Sequence, residues 1–218
     1  MRENYVEDLA EITGELVRMS QLAGEMIEKA TESLLRSDRP LAESVIALDT
    51  DMDDLHEKVE EKALDVMALQ APVASDLRLC VAALRMSQTL ERMGDLASHI
   101  AMTARRAYPE PAIPTDLANL FGAMGTLARG MVGKVAQIVE TRSLGLVLEV
   151  REDDDRMDEL HKQMFTALLS SDWAHGVDSA VNVTLLSRFY ERFADHAESL
   201  AQRMVFLVTG ERSVHEVI

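Results

Sequence analysis

From Tyr5 onward, apolar residues return every three or four positions: Leu9, Ile12, Leu16, Met19, Ala23, Met26, Ile27, Ala30 and Leu34. That period marks one buried face of a helix. "SDRP" at 37–40 predicts a stop, with Pro40 in the first turn of the next helix, where its missing N–H costs nothing. A second helix is expected over about 40–70 and is broken by "QAPVASD". Ser75 or Asp76 is the expected cap of a third helix, which reaches Tyr108. "YPEPAIPTD" at 108–116 carries three prolines and reads as a linker. Thr115 or Asp116 is the expected cap of a fourth helix, ending near Arg142–Gly145. A fifth runs to Leu169, "SSDWAHG" turns the chain, and a sixth runs from Asp178 to Val208. The closing "ERSVHEVI" (211–218) reads as a tail or a short terminal helix.

The pattern is three helices, a linker, and three more, and the halves echo each other. Met52-Asp53-Asp54-Leu55-His56 returns as Met157-Asp158-Glu159-Leu160-His161, with Asp49 and Asp154 three residues before each. "LERMGDLASHIA" (90–101) returns as "YERFADHAESLA" (190–201), so Glu91, Arg92 and Asp95 match Glu191, Arg192 and Asp195. An internal duplication accounts for both echoes. The expected fold is all-α, two tandem three-helix bundles: residues 1–109, residues 114–210, and a C-terminal tail at 211–218.

Composition sharpens this picture. Apolar residues make up 47% and aromatics only 4%, a palette for helix bundles rather than β-sandwiches. The formal charge of −16 argues against nucleic acid as a partner and against adhesion to an anionic bilayer. A cation or a basic protein surface is the expected counterpart. Cys80, the single cysteine, excludes a disulfide scaffold and fits a reducing cytoplasm. The acids of "MRENYVEDLAEI" do not fit a signal peptide, and no apolar run is long enough to span a membrane.

The candidate chemistry lies in the repeated acids. Glu91 and Asp95, and likewise Glu191 and Asp195, are one helical turn apart and point the same way. Their stripe is otherwise largely apolar, so two like charges there repel each other and resist desolvation. In the preceding helix Asp49, Asp53, His56 and Glu60 fall within about 60° of arc. Antiparallel packing of the second and third helices brings that strip toward the Glu91/Asp95 pair. In the second half Asp154, Asp158 and His161 face Glu191 and Asp195, with Glu198 as an extra oxygen donor. Such oxygen-rich sets suit magnesium, manganese or iron. The metal candidates are therefore Asp49, Asp53, Glu91, Asp95, Asp154, Asp158, Glu191 and Asp195, with His56, His161 and Glu198 as weaker ones.

Other residues have plainer readings. The methionines suit a bundle core or an adaptable surface, Cys80 a small buried apolar group, and Trp173 a local staple. Arg92 and Arg192 are expected on the flank of the acids, or paired with another helix.

On these residues the chain resembles the PhoU family of phosphate-uptake regulators, and its actinobacterial-type members in particular. "QAPVASDLR" (70–78) is similar to the family's turn, with Ala71 where Gln is usual. The two Glu-Arg-x-small-Asp segments resemble the family's paired motifs, with Glu198 where Asn is common. The resemblance implies two three-helix bundles, and in some members metal clusters on the carboxylate motifs. It implies a cytoplasmic, non-enzymatic negative regulator of phosphate uptake and of the phosphate-starvation response, peripherally associated with membrane proteins. Its implied partners are the cytoplasmic face of the phosphate ABC transporter, a sensor histidine kinase and a second copy in a homodimer. Two rival readings remain. One is a di-iron carboxylate oxidase of ferritin type, since Asp53-x-x-His56 and Asp158-x-x-His161 superficially match its carboxylate-x-x-His pairs. The other is a metal-free helical adaptor.

Overall fold

A computed structural model describes residues 2–210, with side chains from Tyr5 onward. Its elements are α1 (Arg2–Arg36), α2 (Arg39–Gln70), α3 (Ala74–Ala107), a single 3-10 turn (Thr115–Leu117), α4 (Ala118–Thr141), α5 (Gly145–Leu168) and α6 (Gly176–Thr209). The expected tail at 211–218 lies outside the described residues.

The local starts and stops follow from sequence chemistry, with corrections at two caps. Asp38 caps α2 by accepting from the Leu41 N–H at 3.0 Å, and Pro40 occupies the first turn as expected. Neither Ser75 nor Asp76 caps α3. That helix starts earlier, at Ala74, after an extended Val73 that offers no side-chain cap. Ser75 instead donates to Asp76, and Asp76 accepts from the Tyr5 hydroxyl at 2.8 Å, joining α3 to the start of α1. The tie across the bundle takes the place of the cap. Thr115 and Asp116 lie in the 3-10 turn, so α4 begins after them at Ala118. At the last C-terminus, Gly210 takes the left-handed conformation that glycine adopts without strain, and its N–H donates to the Phe206 carbonyl at 2.9 Å.

Neighbouring helices within each half run antiparallel. Lys58 and Lys62 of α2 pair with Glu15, Glu11 and Asp8 of α1. Lys134 of α4 reaches Glu149 and Asp153 of α5. The bundles then join along α1–α4 and α3–α6, with α2 and α5 on the outer flanks. Both joints are antiparallel. Gly24 lies against Val132 and Gly122 against Leu35 on one, while His99 meets Phe189 at 5.4 Å and Gly210 lies near Arg78 on the other. The repeats are therefore related by a pseudo-twofold axis between these helix pairs.

One continuous core runs through both halves. Among the described residues ten methionines are buried, including Met19, Met26, Met52, Met86 and Met131, and Cys80 is fully buried as expected. At the α1–α4 joint, Tyr190 is completely buried and its hydroxyl meets Thr31 Oγ1 at 2.9 Å. Satisfying that hydroxyl matters because an unpaired buried hydroxyl costs about 1–3 kcal/mol. Gly125 lets α4 approach here: a Cβ at that position would lie 2.4 Å from Thr31 Cγ2 and Oγ1.

Candidate functional site

The antiparallel α2–α3 pair brings the first acidic set together. Met52 packs on Gly94, which fixes the register. Asp49 accepts from Ser98 Oγ at 3.0 Å, and His56 Nδ1 meets Ser87 Oγ at 3.1 Å. Glu91 and Asp95 are half-buried between these contacts, while Asp53 is exposed at the rim. Burial, then the neighbouring Asp95, raises the Glu91 carboxyl above its ordinary range; Arg92 and His56 partly offset this. Glu60 is exposed and stands one turn beyond His56 along α2.

The second set sits at the equivalent place on α5 and α6, but it is much less satisfied. Asp154 occupies the position of Asp49, yet Glu198 stands where Ser98 donates in the first half. A hydroxyl donor is thus replaced by a like charge. Burial comes first, then Glu198, Asp195 and Asp158, and together they push the Asp154 carboxyl up to about 7. Glu191 is also raised, by burial and then by Asp195. One of its oxygens pairs with Arg188; the other is buried without a hydrogen-bond partner. His161, the counterpart of His56, has a buried Nδ1 with no partner; Ser187 donates to the Thr184 carbonyl as Ser87 does to that of Leu84, but only Ser87 also meets its histidine. Burial and then Arg188 lower the His161 pKa, which favours the neutral ring.

The structure thus brings Asp49, Asp53, His56, Glu91 and Asp95 to one seam, and Asp154, Asp158, His161, Glu191, Asp195 and Glu198 to the other. It keeps Asp53-x-x-His56 and Asp158-x-x-His161 in different bundles rather than in one four-helix core. Among the described residues no three His, Cys, Asp or Glu side chains converge closely enough to hold an ion. Neither Arg92 nor Arg192 forms an ion pair among the described residues; Arg188 takes that part beside Glu191.

Sequence reasoning missed Asp153. It is the buried member of the "DDD" run, holding Lys134 at 2.8 Å and Arg156 at 3.0 Å. Its signal was faint: Leu48 stands at the matching position of the first half. Trp173 staples its turn as read, donating to the Gly176 carbonyl at 3.0 Å.

Sequence and structure comparisons give the family and the fold. A family model described as the PhoU domain matches twice, at residues 16–104 and 121–204, once per bundle. The chain belongs to the PhoU family. It is 45% identical over 210 residues to the phosphate-specific transport system accessory protein PhoU homolog 2 of Mycobacterium tuberculosis, covering 96% of this chain and 99% of that one. It is 44% identical to PhoU homolog 1 of Mycobacterium leprae, covering 96% and 95% of the two chains. Crystal structures of PhoU share the fold. That from Pseudomonas aeruginosa superposes with a TM-score of 0.83 at 24% identity, covering 95% of this chain and all of that one. The Streptococcus pneumoniae protein gives 0.84 at 22% identity, covering 96% and 99%. Among the described residues no helix is long and apolar enough to cross a membrane.

Proposed function

We propose that this PhoU-family protein is a non-enzymatic negative regulator of phosphate uptake and of the phosphate-starvation response. It acts at the cytoplasmic face of the phosphate ABC transporter and on the associated sensor histidine kinase, as a cytoplasmic homodimer. The family membership and relatives that are accessory proteins of phosphate transport systems support this. The long amphipathic helices suit docking on partner surfaces.

The carboxylate seams are its ion-responsive element. The observation that carries this is the unmet electrostatic demand of the second seam: Asp154 pushed up to about 7 by burial and surrounding acids, beside a buried Glu191 oxygen without a partner. Oxygen donors of this kind fit magnesium, manganese or iron. Asp154, Asp158, Glu191 and Asp195, with Glu198 and His161, would hold the ion in the second half; Asp49, Asp53, Glu91 and Asp95, with His56, would hold it in the first. A bound cation offsets the mutual repulsion of these groups and so stabilises the α2–α3 and α5–α6 contacts. Exposed Asp53 and Asp158 must rotate inward for ligation, since no three donors converge among the described residues. Because Ser98 already satisfies Asp49, the second half is expected to bind first and more tightly.

That lack of a ready three-donor group is also what favours the second reading, a metal-free helical adaptor. Metal analysis of protein purified without chelator, with Glu91→Ala/Asp95→Ala and Glu191→Ala/Asp195→Ala compared, separates the two. Bound metal lost most sharply in the second variant supports the ion-responsive element; wild-type protein free of metal after incubation with manganese or iron leaves the adaptor. Capture of transporter or kinase from phosphate-replete membranes by wild type tests the regulatory role itself.

A further inference from the structure

The register of the α3–α6 joint follows from its contacts. His99 meets Phe189 at 5.4 Å. Seven residues back along α3 and seven on along α6, the charge of Arg92 reaches His196. Two more such steps lead to Arg78 and Gly210, which again lie together. The step between sets Arg85 opposite Arg203. Each step is about 10 Å along a helix, so Arg78, Arg85 and Arg203 line one end of the joint. Arg85 is exposed and the other two are half-buried.

None of these three side chains has an ion pair or a hydrogen bond among the described residues. The Nε atoms of Arg78 and Arg203 are buried without a partner, and an unmet buried donor costs about 1–3 kcal/mol. With a net charge of −16, acids would be the ready partners, yet those nearest in sequence point away. Asp76 lies about 160° around α3 from Arg78 and is taken by Tyr5. Glu91 lies about 120° around from Arg85, and Glu198 about 140° around from Arg203. The first carboxylate seam is on the far side of α3, since α2 packs at Gly94 and Ser87, about 160–180° from Arg85. Asp95 and Asp195 share the centre of the joint with Arg92 and Arg192. They stand ten and eight residues from Arg85 and Arg203, about 15 and 12 Å along each helix. The twofold axis relates the three arginines to Asp178, Leu185 and Thr103 at the other end. The duplicated design therefore carries this cluster at one end only.

We infer that Arg78, Arg85 and Arg203 form a binding site for a phosphate group. Guanidinium forks match phosphate oxygens two at a time. Packed helix axes are about 8–10 Å apart, which leaves Arg85 and Arg203 within reach of one small ion, with Arg78 approaching from the next step of the groove. A phosphate dianion offsets two of the three fixed charges, whereas a carboxylate or a chloride offsets one. It also gives the unmet Nε–H groups an acceptor. The same chemistry serves inorganic phosphate and the phosphate of a small phosphorylated metabolite, so the test carries an arm for each. The inference goes beyond the regulatory reading and makes no use of the carboxylate seams.

The test is calorimetric titration of the full chain, stripped of metal with EDTA, at low ionic strength. The probes are inorganic phosphate, glycerol 3-phosphate and acetate. Expected is saturable one-to-one binding of a phosphate compound, with no competition from acetate. Arg85→Ala should weaken it by about tenfold or more, as losing a hydrogen bond to a charged group does, and Arg85→Ala/Arg203→Ala should abolish it. Arg85→Lys keeps the charge without the fork and should fall between Arg85→Ala and wild type. Because Arg85 is exposed, its single variants leave the fold intact, and an unchanged melting temperature certifies this. Arg105→Ala/Arg106→Ala removes as much charge at the far end of α3 and should bind as wild type does. Tighter binding of inorganic phosphate assigns the site to the free ion, and tighter binding of the ester assigns it to a metabolite. Three results overturn the inference: no saturable heat with either phosphate compound, wild-type affinity in Arg85→Ala, or an equal loss in Arg105→Ala/Arg106→Ala. Binding that appears only after manganese is restored belongs to the carboxylate seams and overturns it as well.

Discussion

Two adjacent aspartates on α5 have opposite electrostatic fates. Asp153 is buried but embraced by Lys134 and Arg156, whereas Asp154 meets Glu198, Asp195 and Asp158. The difference is a 100° step around one helix. Asp153→Asn should therefore destabilise the protein, by about 1–3 kcal/mol for a weakened charged hydrogen-bond pair, read as a lower urea midpoint. Asp154→Asn should do the reverse near neutral pH. In metal-free protein the Asp154 carboxyl is raised from 3.8 to about 7, so between these values the folded state holds a proton that the unfolded state has released. The stability linked to that proton is full below about pH 4 and is lost as pH rises through about 7. Melting in EDTA across pH 4–8 should show this decline in wild type and a flatter profile in Asp154→Asn. Equal slopes would refute the assignment. The sequence marked Asp154 by its repeat position, but it gave no hint that Asp153 was the structural one, because Leu48 at the matching position of the first half offers no acid to compare.

At the scale of the element, the helices were legible because each has one continuous apolar face, and period alone reveals that. Caps were less legible. Asp38 had no competing partner and capped α2, whereas Asp76 was taken by Tyr5 from seventy-one residues away. A contact so distant leaves no local mark. The same applies to Gly125, which looks like a mild helix weakener in the sequence and proves to be the close-approach point of α1 and α4. Gly125→Ala forces a methyl group into Thr31, and since Thr31 is β-branched and buried it has little room to move. Despite the better helix propensity of alanine, the variant should lose about 1–3 kcal/mol. A higher melting temperature would show that the joint is looser than described. Thr31→Ala in the same chain should recover part of the loss, since its hydroxyl and methyl make the closest contacts.

At the scale of the molecule, the two seams behave as unequal halves of one duplicated design. The first has hydroxyl partners for Asp49 and His56, and the second has none for Asp154 or the Nδ1 of His161. Cations should therefore raise thermal stability chiefly through the second bundle. Adding manganese to chelated protein is expected to raise the melting temperature by a few degrees, consistent with about 1 kcal/mol in a protein of this size. Glu191→Ala/Asp195→Ala should abolish that rise and Glu91→Ala/Asp95→Ala should reduce it less. A midpoint indifferent to manganese and to EDTA would remove ions from the mechanism.

The sequence by itself determined the six helices, the duplication and which acids share a helical face, because periodicity and repeat spacing are properties of the chain alone. It also carried the family, through motifs that match in both halves. Only the tertiary structure decided which acid acquires a donor, which meets another acid, and which surface carries the arginines. Those outcomes depend on the register of helices distant in the chain. A single substitution across that register, Ser98 against Glu198, changes a satisfied carboxylate into a strained one.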